Sequence, residues 1–413
     1  MNSKNLKNKS ILVFTGGGLA PGLNALLYGV VKEAKKEGAK IFGGLFGWHC
    51  LSKDGKIVDL DKIFGWARSD CRSPKGGGAL FGCNKINLEP IKSAGGAILR
   101  SSRVNPYKFK NGINELKEKI KKHSLDYLVA IGGNDTLGAA WRLYQGCHLP
   151  IVGLPKTIDN DLAGTYWSPG FPSAAFRLIH LVKEIKREAA YSLARIFIIE
   201  SMGAHAGWLT ASASMGGADV IIPPEKYIDL DRVLKLTAER YKKNGNFAVV
   251  VMSNQAQLGD KIEGVTDDQT DHYGIIRHEL KSQNLKREIK EKLKIDTKII
   301  IPANYLESGS PIKIDREFAI KLGRKAIHLI KQNKIGFMPC LVRKNSKISV
   351  SEITLNKVTG KDNYRRLDET YFDFKNLKVK QKFLDYLKPI LGKFDQKDKY
   401  NQLVKKIINF GKI

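Results

Sequence analysis

Three times the chain runs an unbroken apolar stretch into glycine and then into a helical pattern. ILVFTGGG precedes NALLYGVVKEAKK, YLVAIGG precedes NDTLGAAW, and IFIIESMG precedes AHAGW. Apolar strands without alternation suit burial on both faces, and strand–helix alternation suits parallel sheets. The strands predicted from these runs are 10–15, 40–46, 126–131, 150–154, 195–200, 219–222, 247–252 and 297–301. The expected class is α/β. In such sheets ligands bind beyond the carboxyl ends of the strands, where the glycines fall. The chain of 413 residues exceeds what one hydrophobic core organises, so more than one domain is expected.

Composition adds charge. There are 70 Lys+Arg against 41 Asp+Glu, a formal charge of +29. This is open to three readings: a nucleic-acid or membrane surface, a site for polyanionic small molecules, or lysine spread over a solvated surface. The lysines occur singly or in pairs, which favours dispersal, and no nucleic-acid motif is present. The five cysteines (Cys50, Cys71, Cys83, Cys147, Cys340) are odd in number, widely spaced and lack a CxxC, which argues against a disulfide framework and a structural zinc site. No apolar run approaches about 18 residues, so no signal peptide or membrane span is expected and the location read from the sequence is cytoplasmic. After residue 340 the chain turns basic and partly helical. KQKFLDYLKPIL and YNQLVKKIINF read either as an amphipathic membrane helix or, preferably, as a stripe packed on the body.

Five segments carry chemistry. FTGGGLAPGLN, with Gly16, Gly17 and Gly18, is either a tight structural turn or a phosphate cradle at a helix N-terminus; it is neither a Walker A loop nor GxGxxG. GGAILRSSRVN sets Arg100 and Arg103 among serines, which suits oxyanions or a surface salt bridge. IGGNDTLG, with Gly133, repeats the first construction, which strengthens the phosphate reading; the alternative is that Thr136 or Asp135 is merely an N-cap. GLPKTIDND gathers Lys156, Asp159 and Asp161. In an extended turn the i,i+2 spacing aims both carboxylates the same way, one as base and one toward Mg²⁺, with the lysine neutralising phosphate. In RIFIIESMGAHAGW, His205 reads as a packing or capping residue.

Together these segments resemble the phosphofructokinase family, and more closely its pyrophosphate-dependent branch. The motifs GGG-x-APG-x-N, G-G-x-x-x-x-SSR, GG-x-DT, PKTIDND, MG-x-HAGW and GSP-x-x-x-DR follow in order over about residues 10–325. The resemblance implies two doubly wound, mostly parallel domains with an active-site cleft between them. The donor side is expected over 1–165 with part of 285–335, the sugar-phosphate side over 166–284, and a basic extension over 336–413. It implies phosphoryl transfer from pyrophosphate to the 1-hydroxyl of fructose 6-phosphate with Mg²⁺, in a homo-oligomer, a dimer or tetramer. Asp159 matches the general base. Thr157, Ile158 and Asp161 match its partners in the turn, and Asp161 and Asn134 the metal side. Gly16–Gly18, Gly133 and Arg103 match donor-phosphate contacts. Arg195, Met202, Gly203, Asn254 and Tyr305 match the acceptor site, with Lys298 a stand-in for a further arginine. ATP-using members have glycine where this chain has Asp135 and Lys156, so both point to pyrophosphate.

The sequence departs from the family in an uneven way. Asn134 replaces a carboxylate, Ala204 an arginine, Asn254 a carboxylate, and Arg100 a glycine. Glu307 lies where the family's QRSGSP-type segment has its arginine. The reaction-centre turn is intact while the sugar-phosphate grip is eroded. Two readings follow: a working enzyme, with its acceptor or donor open to revision, or an impaired or regulatory paralogue.

Overall fold

The computed structural model describes residues 4–65, 85–109, 111–191, 194–259, 281–359 and 363–392, with the backbone of 266–270 and 276–278. Cys71, Cys83 and the YNQLVKKIINF stretch lie outside them. The chain divides into two compact units. One comprises Met1–Thr157, Leu162–Ser173 and Glu307–Tyr364; the other comprises Ile158–Asp161, Ala174–Leu306 and Arg365–Ile413.

Both units are α/β, and the eight strands expected from the apolar runs are present within a residue or two of their predicted ends. The first unit holds a five-stranded sheet of β1 (Ser10–Thr15), β2 (Lys40–Gly44), β3 (Ile57–Asp59), β4 (Tyr127–Gly132) and β5 (Ile151–Pro155), in the order β3-β2-β1-β4-β5. All neighbours are parallel except β2 and β3. The unalternated runs explain the placement: all six residues of β4 and all five of β5 are buried. Thr15, Gly132 and Pro155 end three adjacent parallel strands, so the three chemistry-bearing turns that follow them share one sheet edge.

The Leu23–Lys36 helix of this unit packs on the Lys313–Lys331 helix through two glycines. A Cβ on Gly29 would lie 2.3 Å from the Ile320 carbonyl, and one on Gly323 would lie 2.2 Å from the Leu26 carbonyl. The same helix carries Asp315, which is fully buried. Its carboxylate accepts from the Gly170 N–H (3.1 and 3.2 Å) and from Ser173 Oγ (2.5 Å). Gly170, at φ 108°, pairs in turn with Thr157. The aspartate of the GSP-x-x-x-DR motif therefore anchors the strand that braces the start of the 157–161 turn.

The second unit holds β6 (Arg195–Ser201), β7 (Val220–Ile222), β8 (Phe247–Ser253) and β9 (Thr297–Ile300), all parallel, in the order β9-β6-β8-β7.

The segment read from the sequence as one extension, 336–413, is shared between the units. Phe337–Lys344 and Lys347–Thr354 form an antiparallel hairpin in the first unit, where a partly helical segment was expected. Its two-residue loop has Asn345 at φ 45° and Ser346 at φ 64°, the left-handed pair that a tight hairpin turn needs. The Gln381–Leu391 helix belongs to the second unit and buries Phe383, Tyr386, Leu387 and Ile390. Its apolar stripe is packed on protein, not presented to a membrane. Among the described residues no helix is long and apolar enough to cross a membrane.

Candidate active site

In the first unit the glycine turn after β1 is laced to the Ser101–Ser102 segment. The Gly16 N–H donates to the Ile131 carbonyl and the Gly17 N–H to Ser102 (both 2.8 Å). Ser101 Oγ donates to the carbonyls of Thr15 (3.1 Å) and Gly17 (2.6 Å), and Ser102 Oγ to Phe46 (2.6 Å). Glycine is required at position 16 for space: a Cβ there would lie 2.5 Å from Thr136 Oγ1. At Gly17 it is required by φ 82°. The serines flanking Arg103 thus shape the turn, while Arg103 itself is exposed.

Lys156 follows β5 and is only 3% exposed. Its Nζ donates to the Gly18 carbonyl at 2.5 Å, and a Cβ on Gly17 would sit 3.4 Å from that Nζ. The ammonium therefore lies against the glycine turn. Glu307 shares this neighbourhood: its Oε1 would be 3.3 Å from a Cβ on Gly18. Burial pushes the Glu307 carboxyl above its ordinary value, and the positive charges of Lys156 and Arg103 pull it down. The sequence singled out Glu307 as a loss at the sugar phosphate. The structure puts it beside the glycine turn, a neighbour that sequence order alone could not supply.

The turn after β4 differs from expectation at its cap. Neither Thr136 nor Asp135 caps the Asn134–Cys147 helix; Gly133 is the N-cap, without a side-chain bond. Thr136 is buried against Gly16 and Gly132, and Asp135 is exposed in the first turn. Arg100, which stands where the family has glycine, has φ 60°. A non-glycine residue in that left-handed region costs about 1–2 kcal/mol.

The second unit takes Ile158–Asp161 and the residues that the family resemblance assigns to the acceptor, Arg195, Met202, Gly203, Asn254, Lys298 and Tyr305. The turn is not extended as the i,i+2 reading required: Asn160 is left-handed, at φ 57°. Asp159 is half-buried, Ile158 is 4% exposed and Asp161 is 7% exposed. Met202 and Gly203 follow β6, and Asn254 follows β8; the Asn254 N–H donates to the Ser201 carbonyl (2.9 Å), so these two turns adjoin. Arg195 begins β6 and pairs with Asp296 at 3.5 Å. Lys298 on β9 and Tyr305 are both exposed. His205 is exposed too, and Gly207 is the N-cap of the Trp208–Ser212 helix, so the histidine neither packs inside nor caps.

Mg²⁺ commonly binds through one or two carboxylates plus substrate phosphates, not through an all-protein cage. In the second unit Asp161, a nearly buried carboxylate, is a donor of that kind; Asn134, a carboxamide opening a helix, belongs to the first. Among the described residues no group of three or more His, Cys, Asp or Glu forms a cage.

Comparison with known proteins identifies the family. The family profile described as Phosphofructokinase matches residues 10–330. The pyrophosphate--fructose 6-phosphate 1-phosphotransferase of Dictyoglomus thermophilum is 33% identical over 364 residues, covering 87% of this chain and 96% of its own. The ATP-dependent 6-phosphofructokinase 3 of Streptomyces coelicolor is 32% identical over 332 residues, covering 80% of this chain and 89% of its own. Among solved structures, the pyrophosphate-dependent phosphofructokinase from Nitrosospira multiformis superposes with a TM-score of 0.76 at 21% identity, over 94% of this chain and 93% of that one, a likeness of fold. With the profile spanning most of its length and the two α/β units in place, the chain belongs to the phosphofructokinase family.

Proposed function

We propose that this chain transfers a phosphoryl group from pyrophosphate to the 1-hydroxyl of fructose 6-phosphate. The observation that carries the donor is Lys156: a buried ammonium held on the Gly18 carbonyl and lying against Gly17. It fills space that a bulkier nucleotide phosphate chain would need and offers the positive charge that a compact diphosphate demands. Arg103 adds to that charge. Asp159 takes the proton from the attacking hydroxyl. Mg²⁺, when bound with Asp161 as a carboxylate donor, would supply neutralisation of the phosphate oxygens. Little covalent work falls to the protein, so positioning and charge carry the rate.

The test is the purified chain with fructose 6-phosphate, Mg²⁺ and either pyrophosphate or ATP. Bisphosphate is expected with pyrophosphate; product with ATP alone overturns the donor assignment. Glu307 favours a second reading, an impaired paralogue, because a carboxylate beside the glycine turn repels an incoming polyanion. No product with either donor across several sugar phosphates would select that reading. Under the enzyme reading, Glu307→Gln removes the repulsion, and the KM for pyrophosphate is expected to fall about tenfold, a factor worth about 1.4 kcal/mol. Initial rates against pyrophosphate concentration check it.

A further inference from the structure

The segment beyond the family match meets the catalytic turn through side chains that no motif includes. Asn160, between Asp159 and Asp161, is fully buried and left-handed. Asn160 Nδ2 donates to Tyr386 Oη at 2.8 Å. Arg365 Nη1 donates to Asn160 Oδ1 and to Tyr386 Oη, each at 3.4 Å. The Arg365 backbone N–H donates to the Asp161 carbonyl at 2.7 Å. Both ends of the Asn160 amide and the next carbonyl are thus held by Arg365 and Tyr386, within one unit.

The same two residues reach the MG-x-HAGW motif. The Arg365 guanidinium lies 4.0 Å over the Trp208 ring and 5.0 Å over the Tyr386 ring. Trp208 Nε1 donates to the Arg365 carbonyl at 2.9 Å, and Trp208 packs on Tyr386 with centroids 5.2 Å apart. Glu225 ties the Gly207 N–H (2.6 Å) to the Leu367 N–H (2.8 Å). Such a planar, stacked cation with five donors is a rigid connector that lysine does not replace.

We propose that Tyr386 and Arg365 are positioning residues for Asp159: they fix the left-handed Asn160 and, through it, the direction in which the base projects. The inference rests on the reading of Asp159 as general base. Asn is one of the few non-glycine residues that adopt the left-handed region, and at Asn160 the bonds to Tyr386 and Arg365 fix its amide there. Misplacing a reacting group by 1 Å costs on the order of 10²-fold.

Tyr386→Phe keeps the ring on Trp208 and Arg365 and deletes only the hydroxyl that accepts from Asn160 and Arg365. Expected results are a ten- to hundredfold fall in kcat, KM values for pyrophosphate and fructose 6-phosphate within about twofold of wild type, and a melting temperature within about 4 °C. Combining it with Asn160→Gly, which keeps the backbone conformation but loses the clamp, should add nothing further, because both remove one interaction. Fully additive losses, or an unchanged kcat, would overturn the proposal. Amide hydrogen exchange over 157–162 supplies a readout independent of turnover. Exchange there should accelerate at least tenfold in Tyr386→Phe while the β6 and β8 amides keep their protection. If the wild type proves inactive yet exchange accelerates locally, the clamp stands and the catalytic reading falls. If it is inactive and exchange is unchanged, both fall.

Discussion

Asp159→Asn is expected to leave the fold intact and to lower kcat about 10³-fold or more. The substitution is nearly isosteric and Asp159 is half-buried, so packing is conserved. What is lost is the basicity that accepts the sugar hydroxyl proton, a contribution of about 10²–10⁴-fold. The groups proposed to hold the donor, Lys156 and Gly16–Gly18, belong to the other unit and are untouched. The KM for pyrophosphate should therefore stay within about twofold, a pattern that marks an interaction made only in the transition state. Steady-state rates with both substrates varied, beside a thermal melt, check it. A variant that kept more than a tenth of wild-type kcat would mean that another group takes the proton.

The second large effect is on stability. Gly323→Val is expected to destabilise the first unit by more than about 3 kcal/mol, the upper end of ordinary overpacking. Its Cβ would fall 2.2 Å from the Leu26 carbonyl and 2.9 Å from the Val30 amide nitrogen, both backbone. Neither atom has a rotamer to yield with, so the helices must separate and lose their buried contact. Gly138→Ala supplies the contrast. It lies within the Asn134–Cys147 helix, and nothing lies within 4 Å of the added methyl. There the intrinsic preference of helix for alanine acts alone, and stability should rise by up to about 1 kcal/mol. Denaturant melts of both variants test the pair; a mild Gly323→Val would show that the crossing is looser than its geometry states.

The α/β class and the eight apolar strands were legible because burial on both faces writes itself as unalternated runs. The glycine segments after residues 15 and 131 were legible as turns at the ends of those strands. Three things were not. The hairpin 337–354 was read into a basic, partly helical extension, although K-I-S-V-S-E-I-T alternates and a two-residue loop precedes it. The cap of the Asn134–Cys147 helix was assigned to side chains, but Thr136 is turned inward against Gly16 and glycine takes the position. The i,i+2 reading of Asp159 and Asp161 assumed extended backbone, which Asn160 at φ 57° breaks. Long-range neighbours were beyond reach altogether. Nothing in NYLESGSP says that Glu307 lies near Gly18, and nothing in KQKFLDYLKPIL says that Tyr386 meets Asn160. Such contacts are set by topology, which a linear pattern does not encode.

The interleaving of the two units bears on how the protein is made. The Leu23–Lys36 helix leaves the ribosome early, yet the Lys313–Lys331 helix that covers its Gly29 face is synthesised only after most of the second unit. Throughout that interval the nascent chain carries an uncovered apolar surface and an unbraced glycine turn. The second unit waits in its turn for Arg365 and Tyr386 to reach Asn160. The first unit cannot complete its core before residue 331 is made, so a pause before residue 313 is a point of exposure to aggregation.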